Sequence, residues 1–106
     1  MYNIELENKL FYYLIDLLSN EKEEYFDIDD CLIDLEKLKE NILNSVKKEN
    51  DYIKFKLTIE NKLDLMQYVE DKQFLIGFVN QEYLNEDGKK LQLIYDELYF
   101  QSVGQI

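Results

Sequence analysis

Apolar residues recur at helical spacing from Ile4 to Leu18. Leu6, Leu10, Leu14 and Leu17 form a stripe that Ile4, Phe11, Ile15 and Leu18 widen. This pattern predicts a first helix, ended by Ser19-Asn20. The short aromatic stretch Glu23 to Asp27 reads as a brief strand at a sheet edge. Asp27 or Asp29 then caps a second helix reaching about Leu38, since a short carboxylate side chain accepts the orphan N–H bonds of a first turn. Cys31, Leu32, Leu35 and Leu38 give that helix one apolar face. Residues 41–48 fit either an extension of it or a new strand.

From Tyr52 to Ile59 the period changes to two: Ile53, Phe55, Leu57 and Ile59 alternate with Lys54, Lys56 and Thr58. That is the clearest strand of the chain. Asn61-Lys62 reads as a turn, Leu63 to Val69 as a weaker strand and Glu70-Asp71-Lys72 as another turn. Phe74 to Val79 is a continuous apolar run, expected as a central strand, in which Gly77 marks a bulge or a close approach. Asn85-Glu86-Asp87-Gly88 carries a hairpin-turn signature. Leu91 to Phe100 fits a strand through Leu91, Leu93 and Tyr95, or a helix through Leu91, Ile94, Tyr95 and Leu98. The preceding hairpin favours the strand. The expected fold is α+β, with two helices packed on an antiparallel sheet of about four to five strands.

The chain has 106 residues, 46% of them hydrophobic with fifteen aromatics, so a single domain with one core is expected over 1–106. It has no proline, repeat or low-complexity linker. Its formal charge is −11. Neutralising phosphates needs cations, so direct nucleic-acid binding is not expected. Nine carboxylates against three lysines lie between Glu21 and Glu40, interleaved with Tyr25, Phe26, Ile28, Cys31, Leu32, Ile33, Leu35 and Leu38. A solvating acidic tail lacks such apolar groups. The segment therefore reads as ordered backbone presenting negative charge to a basic protein surface, such as a DNA-binding groove. Solubility alone is the plainer use of the same charge.

Catalytic chemistry is sparse. There is no histidine to activate the lone Cys31, which reads as a small buried apolar residue. No glycine-rich phosphate cradle or EF-hand spacing occurs, and carboxylate pairs such as Asp29-Asp30 are unavoidable at this composition and so a weak glycosidase or metal signal. The expectation is a binding protein without enzymatic activity, cofactor, metal or small-molecule substrate. No basic n-region or membrane-length apolar run is seen, so a cytoplasmic protein without membrane contact is expected. Leu98-Tyr99-Phe100-Gln101-Ser102 is similar to the end of a protease-cleavage tag, but the preceding residues do not complete one, so the segment reads as native.

The order of features resembles the staphylococcal type of uracil-DNA glycosylase inhibitor, small acidic α+β proteins of mobile genetic elements. Leu14 and Leu17, Glu21-Lys22 and then Asp27-Ile28-Asp29-Asp30 resemble the family's first helix and its acidic Glu-Ser-Ile-Glu-Glu motif. Lys72-Gln73 with Ile76-Gly77-Phe78-Val79 resembles its Lys-Gln…Ile-Gly-Tyr-Ile strand, and Gly104-Gln105 its Gly-Gln ending. The resemblance implies DNA mimicry, blocking DNA repair. Glu24, Asp27, Asp29 and Asp30, with Ile28 among them, would replace phosphates. An apolar cleft from Leu32, Leu35, Ile42, Met66 and Val79 would sequester the leucine that the enzyme drives into DNA. The implied partner is a uracil-DNA glycosylase, bound 1:1. Phe26 and Asp27 depart from the motif's Glu and Ser, replacing a hydroxyl by a charge. The alternative is an immunity or anti-defence protein that neutralises a basic nuclease or toxin.

Overall fold

The structure is a computed structural model that describes residues 1–80 and 82–105. It is α+β. The chain runs β1 (Tyr2–Glu7), α1 (Asn8–Asn20), β2 (Tyr25–Phe26), β3 (Leu32–Ile33), α2 (Leu35–Asn44) and β4 (Lys47–Glu49). It continues through β5 (Tyr52–Leu57), α3 (Ile59–Ile76), β6 (Phe78–Val79), β7 (Tyr83–Leu84) and α4 (Glu86–Val103). The main sheet is antiparallel in the order β1-β5-β4, while β2-β3 and β6-β7 are separate two-residue hairpins.

Alternation of side chains decides how the sheet is buried. Ile4 and Leu6 of β1 pair with Phe55 and Ile53 of β5, and all four are buried. Their neighbours Asn3, Lys54 and Lys56 are exposed. The buried face packs under the helices, where Leu10, Phe11, Leu14 and Leu18 of α1 meet Leu38 and Ile42 of α2 and Leu65, Tyr68 and Val69 of α3. Leu91, Ile94 and Leu98 of α4 complete this core. No helix among the described residues is long and apolar enough to cross a membrane.

Two helices on a sheet of four to five strands is therefore corrected to four helices around a three-stranded sheet among the described residues. The first helix begins at Asn8 because Tyr2–Glu7 is a strand, and the spacing from Leu6 to Leu10 spans a strand–helix junction. The strands expected at Leu63–Val69 and Phe74–Val79 belong largely to α3. It starts where the Thr58 hydroxyl accepts the Asn61 N–H at 3.1 Å and stops at Gly77, whose N–H donates to the Gln73 carbonyl at 2.9 Å. Leu91 to Phe100 is helical. Asn85 is an N-cap rather than a hairpin residue, its side chain accepting the Gly88 N–H at 2.8 Å with Glu86 and Asp87 in the first turn.

One edge of the sheet is closed in an unusual way. The Gln101 side chain accepts the Glu5 N–H and donates to the Glu5 carbonyl, both at 2.7 Å, and Gln105 does the same for Asn3 at 2.7 Å. Two glutamines one helical turn apart thus stand in for a neighbouring strand and satisfy backbone groups that would otherwise be open for pairing. The tag-like segment is structural.

Candidate acidic interface

The acidic segment folds as a hairpin and then a helix. Tyr25 pairs with Ile33 and Phe26 with Leu32, leaving residues 27–31 as the connecting loop. Asp27 builds this loop. Its backbone N–H donates to the Cys31 carbonyl at 2.9 Å, and its carbonyl accepts the Asp30 N–H at 3.0 Å. Its carboxylate accepts the Asp29 and Cys31 N–H groups at 2.8 and 2.9 Å. Asp30 takes the left-handed conformation, φ 61°, which Asp tolerates better than most residues. Helix α2 is capped by Asp34, whose side chain accepts the Lys37 N–H at 3.0 Å. The cap expected at Asp27 or Asp29 is thus displaced, because Leu32 and Ile33 return to pair with β2 before the helix starts.

The result is a hydrogen-bonded tip in which the Asp27 carboxylate is turned onto the loop backbone, while Asp29 and Asp30 are exposed. Glu24, Asp29 and Asp30 are exposed, Asp27 is half-buried and Ile28 is 86% exposed. Cys31 is exposed too, correcting the expectation of a buried thiol: its place in the loop, not its hydrophobicity, decides its burial.

Helix α3 anchors this hairpin. The Tyr25 hydroxyl donates to Asp71, and the Gln67 amide donates to the Tyr25 oxygen and the Phe26 carbonyl, both at 3.4 Å. The Tyr25 and Tyr68 rings meet edge to face, 5.5 Å apart. Tyr68 donates to the Glu21 carboxylate at 2.9 Å, and Lys72 pairs with the same carboxylate. Burial first, and the bond to a carboxylate second, push the Tyr25 and Tyr68 phenols well above their ordinary range, so both remain donors. On the same helix the Asp64 carboxyl is pushed up by burial and then by the charges of Asp27 and Glu60. The acidic surface therefore extends from the hairpin onto α3. The sequence reading missed Asp64 and Glu60 because it placed residues 59–76 in turns and strands.

The five apolar residues expected in a cleft are dispersed. Leu35 and Ile42 are buried in the core, Leu32 is 59% exposed, Met66 is half-buried against the core and Val79 lies in β6. A hollow of about 280 Å³ beside the hairpin is lined by Leu32 and Leu35, together with Leu18, Glu23, Glu24 and Glu36. Ile42, Met66 and Val79 do not line it. A larger hollow of about 710 Å³ lies between β1, β5 and the end of α2, with Lys47, Lys54 and Lys56 among its lining residues. Its lining shares no residue with the hollow beside the hairpin, and it mixes those lysines with Glu5 and Glu49. Lys54 there is paired with Glu49 at 2.9 Å. We therefore place the candidate interface at the hairpin, where ordered charge, not volume, is the distinguishing property.

Compared with protein families, curated proteins and solved structures, the chain matches none.

Proposed function

We propose that this chain is a binding protein that occupies the nucleic-acid groove of a basic enzyme, its hairpin carboxylates standing where phosphates would sit. The enzyme is a uracil-DNA glycosylase, as the order of features shared with that inhibitor family implies. The observation that carries this reading is the Asp27 loop, which holds Asp29 and Asp30 outward on fixed backbone. Charge on a preorganised loop raises association rate and specificity without the entropic cost of ordering a tail on binding. The apolar part of the contact is smaller than the resemblance implies. Ile28, Leu32 and the hollow beside Leu35 remain to meet the enzyme's leucine, while Ile42 is occupied in the core.

That reduction favours a second reading, in which the same acidic surface neutralises a basic nuclease or toxin as an immunity or anti-defence protein. Such a partner requires charge but no leucine cleft. Binding to purified bacterial glycosylases, measured from low to high salt, separates the two. The first reading expects a 1:1 complex whose association slows with salt and in D29K/D30K. Absence of binding to every glycosylase, with capture of a basic nuclease instead, would transfer the function to the second.

A further inference from the structure

We infer that the hollow of about 710 Å³ on the outer face of the main sheet binds a small phosphate monoester, independently of the acidic hairpin. The period of two builds its floor. Asn3 and Glu5 of β1, and Lys54 and Lys56 of β5, alternate with the buried Ile4, Leu6, Ile53 and Phe55, so they leave the sheet on the side away from the core. Lys47 of β4 lies directly opposite Lys54, and Glu49 follows two residues on, so both leave on that side too. Past the end of α2, the Ser45 hydroxyl accepts the Lys56 N–H at 2.8 Å and ties residues 44–46 to the rim. The volume falls within the ~300–1,000 Å³ of small-molecule sites.

The charges around this hollow are unevenly satisfied. Lys54 pairs with Glu49 at 2.9 Å and has Glu5 opposite it on β1, so both glutamates act on one ammonium. Lys47 and Lys56 pair with no carboxylate among the described residues. Nor do they cap α2, whose Ile42 carbonyl is taken by the Ser45 N–H and hydroxyl. Asn3 bonds Gln105 through its backbone alone, which leaves its side-chain amide on the same face. Three lysines against two glutamates leave one positive charge in excess in a chain of −11. Charges beyond about 8 Å are largely screened at physiological salt, so the local excess governs a small anion. Lys47 and Lys56 stand diagonally across the β4–β5 ladder, a relation that separates residues by about 7–8 Å. Two flexible ammonium groups so placed can close on one group, and a phosphate monoester carries close to two negative charges at neutral pH. The hollow exceeds a bare phosphate, so the organic part of the ester lies against Val46 and the aliphatic stems of the lysines.

The test is an amide NMR titration of the full chain with phenyl phosphate, inorganic phosphate and phenol, at constant ionic strength. Phenyl phosphate should shift the Ser45, Lys47 and Lys56 amides saturably, inorganic phosphate should bind the same residues more weakly, and phenol should bind more weakly than phenyl phosphate. In K47Q/K56Q the affinity for phenyl phosphate should fall roughly tenfold or more, the loss expected for one charged contact. Both lysines are exposed, and unchanged Ile4, Ile53 and Leu91 amides in that variant will show that the core is intact. K9Q/K37Q removes the same charge from exposed lysines outside the hollow and should bind like the wild type. The absence of saturable shifts with phenyl phosphate overturns the inference. So do shifts spread equally over Lys9 and Lys37, or equal affinity of wild type and K47Q/K56Q.

Discussion

Replacing Asp27 separates the shape of the acidic tip from its charge. The Asp27 carboxylate accepts two backbone N–H groups, from Asp29 at 2.8 Å and Cys31 at 2.9 Å. Asp27→Ala removes both acceptors, whereas Asp27→Asn keeps an acceptor oxygen and removes the charge. The loop is near solvent, so the bonds are taken at the neutral-pair value of about 0.5–1.5 kcal/mol each rather than at the charged value. Their loss then lowers the local opening free energy by about 1–3 kcal/mol, a roughly 5- to 140-fold change in an opening equilibrium. Amide hydrogen exchange reads this directly. In D27A the protection of Asp29 and Cys31 should fall within that range, while Phe55 and Leu57 of the sheet stay unchanged. D27N should retain most of the protection and still bind the partner less tightly. Equal protection of Asp29 and Cys31 in wild type and D27A would refute the claim that this carboxylate orders the tip.

Asp64 has a raised folded-state pKa, so the folded protein binds that proton more tightly than the unfolded chain and the ionised form costs stability. Asp64→Asn should raise the Tm near neutral pH. The gain should shrink as pH falls through the carboxylate range and Asp64 of the parent becomes protonated, as thermal melts across pH will show. A Cβ at Gly88 would lie 2.1 Å from the Gly77 carbonyl oxygen, so Gly88→Ala must displace backbone. It should cost about 1–3 kcal/mol in urea unfolding, as overpacked sites do. In Q101M/Q105M the edge of β1 loses its surrogate strand. Exchange of the Asn3 and Glu5 amides should accelerate roughly fivefold, at about 1 kcal/mol per bond, while the alternate residues Ile4 and Leu6, facing β5, stay protected.

The α+β class and most of the strand expected at Tyr52 to Ile59 were legible because their patterns are local: Ile53, Phe55 and Leu57 alternate and all three are buried, but the strand ends at Leu57, since Thr58 caps α3 and the exposed Ile59 begins it. Helix α3 was not, because it does not follow one apolar stripe. Ile59, Leu63, Phe74 and Leu75 are apolar but exposed, and only Leu65, Tyr68 and Val69 are buried within it. Asn85-Glu86-Asp87-Gly88 serves a hairpin turn or a capped helix start equally well, since an Asn that orders backbone and a small Gly suit both. What decides is the close approach of Gly88 to Gly77, a tertiary contact no local pattern contains. At the candidate site, the sequence locates the charge but not its support. The carboxylates of Asp29 and Asp30 were identifiable by composition. The role of Asp27 as loop builder, and of Tyr25, Gln67 and Asp71 as anchors, depends on a hairpin docking against a helix more than forty residues away, as the Tyr25 to Asp71 separation of 46 shows.

The most direct test of the DNA-mimic reading is uracil excision from a single-uracil duplex by a bacterial uracil-DNA glycosylase, titrated with this protein. The account predicts that excision stops near one equivalent of the wild type, and that D29K/D30K is a much weaker inhibitor with an unchanged melting curve. Undiminished excision at large excess, or equal inhibition by wild type and D29K/D30K, would contradict it.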